Sequence, residues 1–595
     1  MSQLKSRSEI PAGDKWCLEH IYASEADWQA ELDQLLRDMP DMAKYRGKLD
    51  NYENVKDMLY ENDRLELMSE RLFTYARMCR DTDNADPQYN DMVSKATNAM
   101  VRYQELTSYI MPELSKLDPA VLEAWAEREE MYPFDFALRE IGRNKAHVLS
   151  DAEERILALA GEVGNSYDDI FTMLDDVDMQ FDPIIKDGKE LPMSHGRYGL
   201  YLEDPDRDVR RQAFESTYNA HKKQINTLAA LYGSSVKKDV FFARARHFDT
   251  ARQEALFGGN IPQSVYDSLI SAVHDALPDM HKYVALRKRT LGLDNMEMYD
   301  MYVPMTHYAE SVTPFDKARK LVLEALKPLG SHYCQVLSGA FDEGWIDIYE
   351  TKGKTSGAYS WGPYGTHPYI LLNYQDRLDD AFTLAHEAGH AMHSYHSDAA
   401  LPYSKAGYRT FVAEVASTVN EVLLLHYLLD NTDDVEMQKY LLELHLEQFR
   451  TTLFRQTMFA EFEYLAHTQA ENGESLSKDW LCSTYAKLNA DYYGPAVNTG
   501  ELISYEWARI PHFYRAYYVY QYATGFSAAV AIAERILHEG ESATKDYISF
   551  LSSGGSNYPI ELLKIAGVDM SRPDTVKAAL SSFRDTLERF TALMK

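Results

Sequence analysis

Cysteine is scarce in this chain of 595 residues, which has four, Cys17, Cys79, Cys334 and Cys482. None forms a C-x-x-C pair, and a disulfide-built domain would be shorter and denser in them. Positive charge is also short: 61 Lys and Arg stand against 92 Asp and Glu, a formal charge of −31. That field repels phosphate backbones and anionic lipid, which argues against nucleic acid or a membrane surface as partner. The opening MSQLKSRSEIPAGDKW has no apolar run of the kind a secretory leader needs. The most apolar stretch, around Phe526 to Ile536, is too short to span a bilayer and runs into Glu534 and Arg535. The expectation is a soluble, cytoplasmic protein with reduced thiols. Glycine and proline are too few, at 29 and 21, for a collagenous or linker-dominated chain. No 20–50-residue repeat or low-complexity tract is visible.

What is present is ordinary globular material, 45% hydrophobic and 26% charged, enough to build a core. Most of it has helical spacing. Residues 20–130 place apolar side chains three and four apart with charges between them. In E-D-P-D-R-D-V-R-R (203–211), Pro205 suits a helix start with Asp204 as its cap. Two regions break the pattern. Residues 181–193 contain Asp187-Gly188, a hairpin turn signal. Residues 356–374 open as a loop with Gly357, Gly362 and Gly365, then enter a short strand, 369–374. Pro368 has no N–H for a ladder, so this segment reads as an edge strand or a strand start. S-S-G-G-S (552–556) reads as a turn between late helices.

The sharpest signal is L-A-H-E-A-G-H-A-M-H (384–393). His386 and His390 are four apart, so on a helix they project from one face and can share a metal. Glu387 would reach a water on that metal. The surrounding Ala381, Phe382, Leu384, Ala385 and Ala388 make the helix apolar and therefore buried, and buried histidines need partners. Small residues also let other chain segments approach closely. A catalytic zinc site takes three protein ligands. The next helical pattern, 410–425, carries Glu414 amid Val and Ala, and Glu421 seven residues on lies on the same face. Glu414 is assigned as third ligand and Glu421 as the acceptor that orients a ligand histidine. Two histidines and a carboxylate complete the set, so His393 and His396 are read as non-ligands. His367, before Pro368, has no assigned role. A His₂Glu donor set suits one Zn²⁺ per chain, although cobalt or manganese fits the same donors.

Hydrolysis at such a metal needs a donor where negative charge develops on the carbonyl oxygen. W-A-R-I-P-H-F-Y-R-A-Y-Y-V-Y-Q-Y (507–522) offers several. Pro511 suits the first position of a helix, putting His512 in its first turn. Tyr514, Tyr517, Tyr518, Tyr520 and Tyr522 follow. The chain has 42 Tyr and 23 Phe, a surplus that suits a wet cavity, because a buried hydroxyl must find a partner.

With these residues the chain resembles the oligoendopeptidase F branch of the thimet-oligopeptidase-like zinc metallopeptidases. The resemblance runs beyond the histidine motif, through K-W-C-L-E-H-I-Y-A-S (15–24), M-E-M-Y-D-M-Y-V-P (296–304), S-G-A-Y-S-W-G (356–362), F-V-A-E-V-A-S-T-V-N-E (411–421) and S-N-Y-P-I-E-L-L-K-I-A-G-V-D-M (556–570). It implies a mainly α fold, a two-lobed helical clamshell around a deep channel, with a small β-sheet at the cleft. Residues 1–200 would form a helical part of the upper lobe and 201–595 the catalytic domain. It implies that His386, His390 and Glu414 bind zinc, that Glu387 is the catalytic glutamate, and that His512 lies beside the scissile carbonyl. Tyr517, Tyr520 and Tyr522 are all candidates for the tyrosine that assists it. Cys17 departs from the family pattern, where Asp is expected.

The function so implied is a zinc endopeptidase that cleaves internal bonds of short unfolded peptides, with water activated by Glu387. The strand 369–374 would pair with an extended substrate by β-augmentation. Two other readings stand beside it. A zinc exopeptidase would need a clamp for a free terminus, for which Arg409, Arg509 and Arg515 are available. An inert helical peptide-binding scaffold would carry the same motif without metal.

Overall fold

The computed structural model describes residues 4–306, 308 and 312–595. The chain is mainly helical, with three small sheets among the described residues. Helix starts follow local chemistry. Asn51 caps Tyr52–Thr82 through the N–H groups of Glu53 and Asn54, and Asp86 caps Pro87–Thr107, whose first residue lacks the N–H a helix leaves unpaired anyway. The 39-residue helix Arg207–Ala245 is capped by Asp206, which accepts from Asp208 N at 2.9 Å. This corrects the assignment of Asp204. That residue lies outside the helix, ion-paired with Lys186 and accepting from Asp206 N at 3.0 Å.

The chain divides into two compact units, each assembled from separated stretches. The first comprises Met1–Val148, Glu310–Leu428 and Ile532–Val568. Its N-terminal helices Glu25–Asp38, Tyr52–Thr82 and Pro87–Thr107 bury a core that includes Trp28, Leu35, Met58, Leu65 and Leu72. Trp28 is satisfied by a bond from Nε1 to the Leu72 carbonyl at 2.9 Å. The same unit holds a three-stranded sheet. Tyr369–Tyr374 is its middle strand, parallel to Ile346–Tyr349 and antiparallel to Tyr359–Trp361.

Two expectations change there. Residues 359–361, read as loop, form a strand. Tyr369–Tyr374 is paired on both sides, with Ile346–Tyr349 along its length and with Tyr359–Trp361 over Tyr369–Leu371, so it is the central strand and not an edge. Pro368 sits just before the first paired residue, where its missing N–H costs no ladder bond.

The second unit comprises Leu149–Ala309, Leu429–Ala531 and Asp569–Lys595. Arg207–Ala245, Gln263–Thr290, Arg455–Glu471 and Lys478–Tyr493 are its main helices. The hairpin forms as expected: Ile184–Lys186 pairs with Lys189–Leu191, and Asp187 and Gly188 both take positive φ, 52° and 71°, as this tight turn requires. The turn at 552–556 also falls between helices, Glu541–Leu551 and Pro559–Ile565.

Among the described residues one helix, Thr410–Asp430, is long and apolar enough to cross a bilayer; 67% of its most apolar window is buried inside the fold. It is a core helix, and it is not the stretch around Phe526 that the sequence singled out.

Candidate metal centre

The motif helix runs from Leu378 to Ala400. Asp380 anchors its start: Oδ2 accepts from the backbone N–H groups of Gln375 and Arg377, both at 2.9 Å. Asp379 and Asp380 thus act from inside the first turn, where a negative charge also meets the positive helix end. Beyond them Ala381, Leu384, Ala385, Ala388 and Met392 are buried. His386 and His390 share the remaining face, with ring centroids 4.9 Å apart and side chains 29% and 18% exposed. Both rings therefore keep partial access to solvent.

Helix Thr410–Asp430 supplies the carboxylates. Gly389, between the histidines, lets the two backbones meet. A Cβ built there would lie 2.5 Å from the Ala416 carbonyl oxygen and 2.6 Å from Ser417 Cα. Asn420 ties the crossing by donating to the Ala385 carbonyl at 3.0 Å and meeting the Tyr333 hydroxyl. At this approach Glu414 Oε2 reaches both rings, 3.4 Å from His386 Nε2 and 3.4 Å from His390 Nε2. Ser417 Oγ donates to the same carboxylate at 3.0 Å. Glu421 Oε1 takes the opposite nitrogen of His386, Nδ1. That bond fixes the tautomer that leaves Nε2 free for a ligand role.

Burial opposes charge on His386, but Glu414 and Glu421 outweigh it and hold the imidazole up to about 10. The two histidines in turn hold Glu414 far below the usual carboxylate range. Glu387 differs. It is 6% exposed, burial raises its pKa above the ordinary value, and Oε2 has no hydrogen-bond partner. The three inward atoms fit a divalent cation. Tetrahedral ligands bound at about 2.0–2.1 Å lie about 3.3 Å from one another, close to the 3.4 Å seen here. A second grouping, Asp175, Asp176 and His195, has donor atoms within 4.8 Å of one another. Two of its members are already engaged, since His195 Nε2 meets the Asp175 carbonyl at 3.0 Å and Asp175 Oδ1 meets His221 Nε2 at 2.9 Å.

His512 belongs to the second unit. Pro511–Tyr514 forms a single 3-10 turn, and the next helix begins only at Tyr520. The tyrosine run is therefore not one continuous helix, because Tyr517 breaks it at φ 53°. The break separates the candidates. Tyr517 and Tyr520 turn inward and are buried, packing on Tyr266 with centroids 5.5 and 5.1 Å away. Tyr522 stays half-buried, its hydroxyl 3.2 Å from His512 Nε2. Tyr518, which the sequence did not single out, lies nearly parallel to the His512 ring and edge-on to Tyr522. Burial, Arg515 and Arg455 all lower the His512 pKa, so the ring is neutral at pH 7.

A family model described as Peptidase family M3 matches residues 200–582. The chain belongs to peptidase family M3. A model described as Oligopeptidase F matches residues 113–181. Oligopeptidase PepF of Bacillus subtilis is 42% identical over 100% of this chain and 89% of its own length. The plasmid-encoded oligoendopeptidase F of Lactococcus lactis subsp. cremoris is 37% identical over 99% of both chains. The crystal structure of oligoendopeptidase-F from Enterococcus faecium superposes with a TM-score of 0.74 at 34% identity, covering 96% of this chain and 99% of that one.

In this M3 peptidase the remaining residues raised by the sequence fall elsewhere. His393 is fully buried, face to face with Tyr408 at 3.7 Å, and burial pushes it down to about 3. His396 stacks on Tyr333 and is pushed down to about 4. His367 stacks on Trp345 and meets His20 at 2.7 Å. Of the arginines, Arg409 pairs with Glu140, and Arg509 lies over Tyr198 near Glu506. Gly389, Ser417 and Asn420 complete the metal centre without having been named in advance. Only Gly389 had a signal, being the small residue inside the motif.

Proposed function

We propose that this M3 peptidase is a zinc-dependent oligoendopeptidase, and that the convergence of His386 Nε2, His390 Nε2 and Glu414 Oε2 carries the reading. These three would hold the metal, with Glu421 orienting His386. Zinc bound there supplies a Lewis acid that polarises a carbonyl and acidifies water.

Glu387 takes the proton from the attacking water on its carboxylate and delivers it to the leaving amine nitrogen. Its unpartnered, partly desolvated oxygen supports that role. His512 in its neutral form and Tyr522 are assigned as donors to the oxyanion, on the strength of their mutual 3.2 Å contact and their partial exposure.

Substrate backbone pairing moves to Tyr359–Trp361. Among the described residues this strand has one paired neighbour, and it packs against the motif helix. Main-chain pairing there would bind extended peptides with little side-chain preference.

The test is Glu387→Gln on a short internally quenched peptide blocked at both ends, with metal content measured alongside. The expected result is a loss of about 10²–10⁴-fold in kcat with zinc retained. Full activity in that variant, or activity that survives exhaustive chelation, sinks the proposal. Failure of the wild type on blocked peptides but not free ones would instead make it an exopeptidase.

A further inference from the structure

Glu463 is a buried ionisable group to which the proposed mechanism gives no task. It lies on helix Arg455–Glu471 in the second unit and has no solvent exposure. Oε1 accepts the backbone N–H of Tyr517 at 2.8 Å, while Oε2 has no partner. The pocket is closed by groups from several segments. His467, one turn on, packs its ring on that of Tyr517 at 4.8 Å, with Nε2 3.3 Å from Asp239 Oδ2. Tyr266 lies against both Tyr517 and Tyr520 and donates its hydroxyl to the Ala460 carbonyl. Burial pushes Glu463 up to about 8, so the carboxyl is mostly protonated at neutral pH. A carboxyl in such a place is a cost that an apolar residue of similar volume would avoid.

What it holds is unusual. Tyr517 is an aromatic residue at φ 53°, in the left-handed region where side chains other than glycine, asparagine and aspartate are strained. It stands midway between His512 and Tyr522. Its turn sends Tyr517 itself into the core, where Tyr520 also packs, and leaves Tyr518 and Tyr522 facing His512. Return of Tyr517 to ordinary backbone would redirect the chain at that point and separate the pair.

We propose that Glu463 is a positioning residue, which pins the left-handed turn at Tyr517 and thereby sets the contact between His512 and Tyr522. The inference rests on the assignment of those two residues as donors. Four variants of the full zinc-loaded enzyme test it on the blocked peptide: E463Q, E463M, Y522F and the double variant E463M/Y522F. A glutamine carbonyl accepts the same N–H, so E463Q keeps kcat within about threefold. E463M lowers kcat by about 10–100-fold with KM changed less and zinc unchanged, part of the loss expected when an oxyanion donor is removed. Because both act through one contact, the double variant is no slower than Y522F alone.

Wild-type kcat in E463M, or multiplied losses in the double variant, overturns the proposal while leaving the donor assignment standing. Wild-type kcat in Y522F instead overturns the donor assignment, and amide exchange then judges the pinning by itself. The Tyr517 amide of the wild type should exchange slowly and that of E463M fast. Fast exchange in the wild type overturns the proposal, including where E463M does not fold. Slow exchange in a folded E463M overturns it as well.

Discussion

His386 has two nitrogens, and they do different work. Nδ1 is held by Glu421, and Nε2 faces Glu414 and His390. Without metal the two carboxylates keep this ring protonated, pushed up to about 10. A metal needs the neutral ring, so binding at pH 7 must expel a proton. Affinity therefore rises as pH climbs toward 10 and falls as it drops. Titration calorimetry in two buffers of different ionisation enthalpy should report release of about one proton per metal at neutral pH; no release would contradict the assignment. Glu421→Ala should weaken zinc by about 10–100-fold in a chelator competition while the three ligands remain. Unchanged affinity would reduce Glu421 to a packing residue.

The metal centre is the product of one helix crossing. Gly389 permits it, Asn420 ties it, and Glu414 and Glu421 exploit it from a helix otherwise made of Val, Ala and Leu. A methyl at residue 389 would meet backbone atoms of Ala416 and Ser417, and backbone cannot swing aside as a flexible side chain can. Gly389→Ala should cost about 3 kcal/mol and release zinc, read as a lowered melting temperature and a fall in bound metal together. A variant with normal metal and melting temperature would show that the helices can separate without loss.

Helices were legible at this scale because their signals are local: period, cap and first-turn charge. The sheet was less so. Which strand is central depends on partners distant in sequence, and Ile346–Tyr349 takes the side of 369–374 that the sequence left open. The tyrosine run was misread for a related reason. Five tyrosines in nine residues imitate a helical face, but the break at Tyr517 is held by Glu463 from another helix.

At the scale of the molecule, the excess of 92 acidic over 61 basic residues gives a field that reaches beyond any one site. Cationic peptides should be cleaved with higher kcat/KM than anionic peptides of equal length. The ratio should shrink as salt passes about 0.1 M, where the Debye length is about 10 Å. A ratio independent of salt would place the preference in local contacts instead. The units show why organisation resists reading along the chain. Each is built from three separated stretches, and the metal centre falls wholly in one of them while His512 falls in the other. No composition shift or linker marks those crossings, and two of them fall inside single helices, Thr410–Asp430 and Tyr520–Glu539, which pass from one unit to the other without a break.

The sequence by itself determined which residues make up the candidate metal centre. Spacing puts His386, Glu387 and His390 on one helical turn, and the charge of Glu421 in an apolar segment demands a partner, whereas Glu414 stays half exposed at 49%. These are short-range facts, set by 3.6 residues per turn and by the cost of burying charge. Tertiary structure alone decided which tyrosine meets His512, which strand keeps a free edge, and how near the two helices come. Each of those depends on atoms brought together from distant parts of the chain, and no local period encodes a distance of that kind.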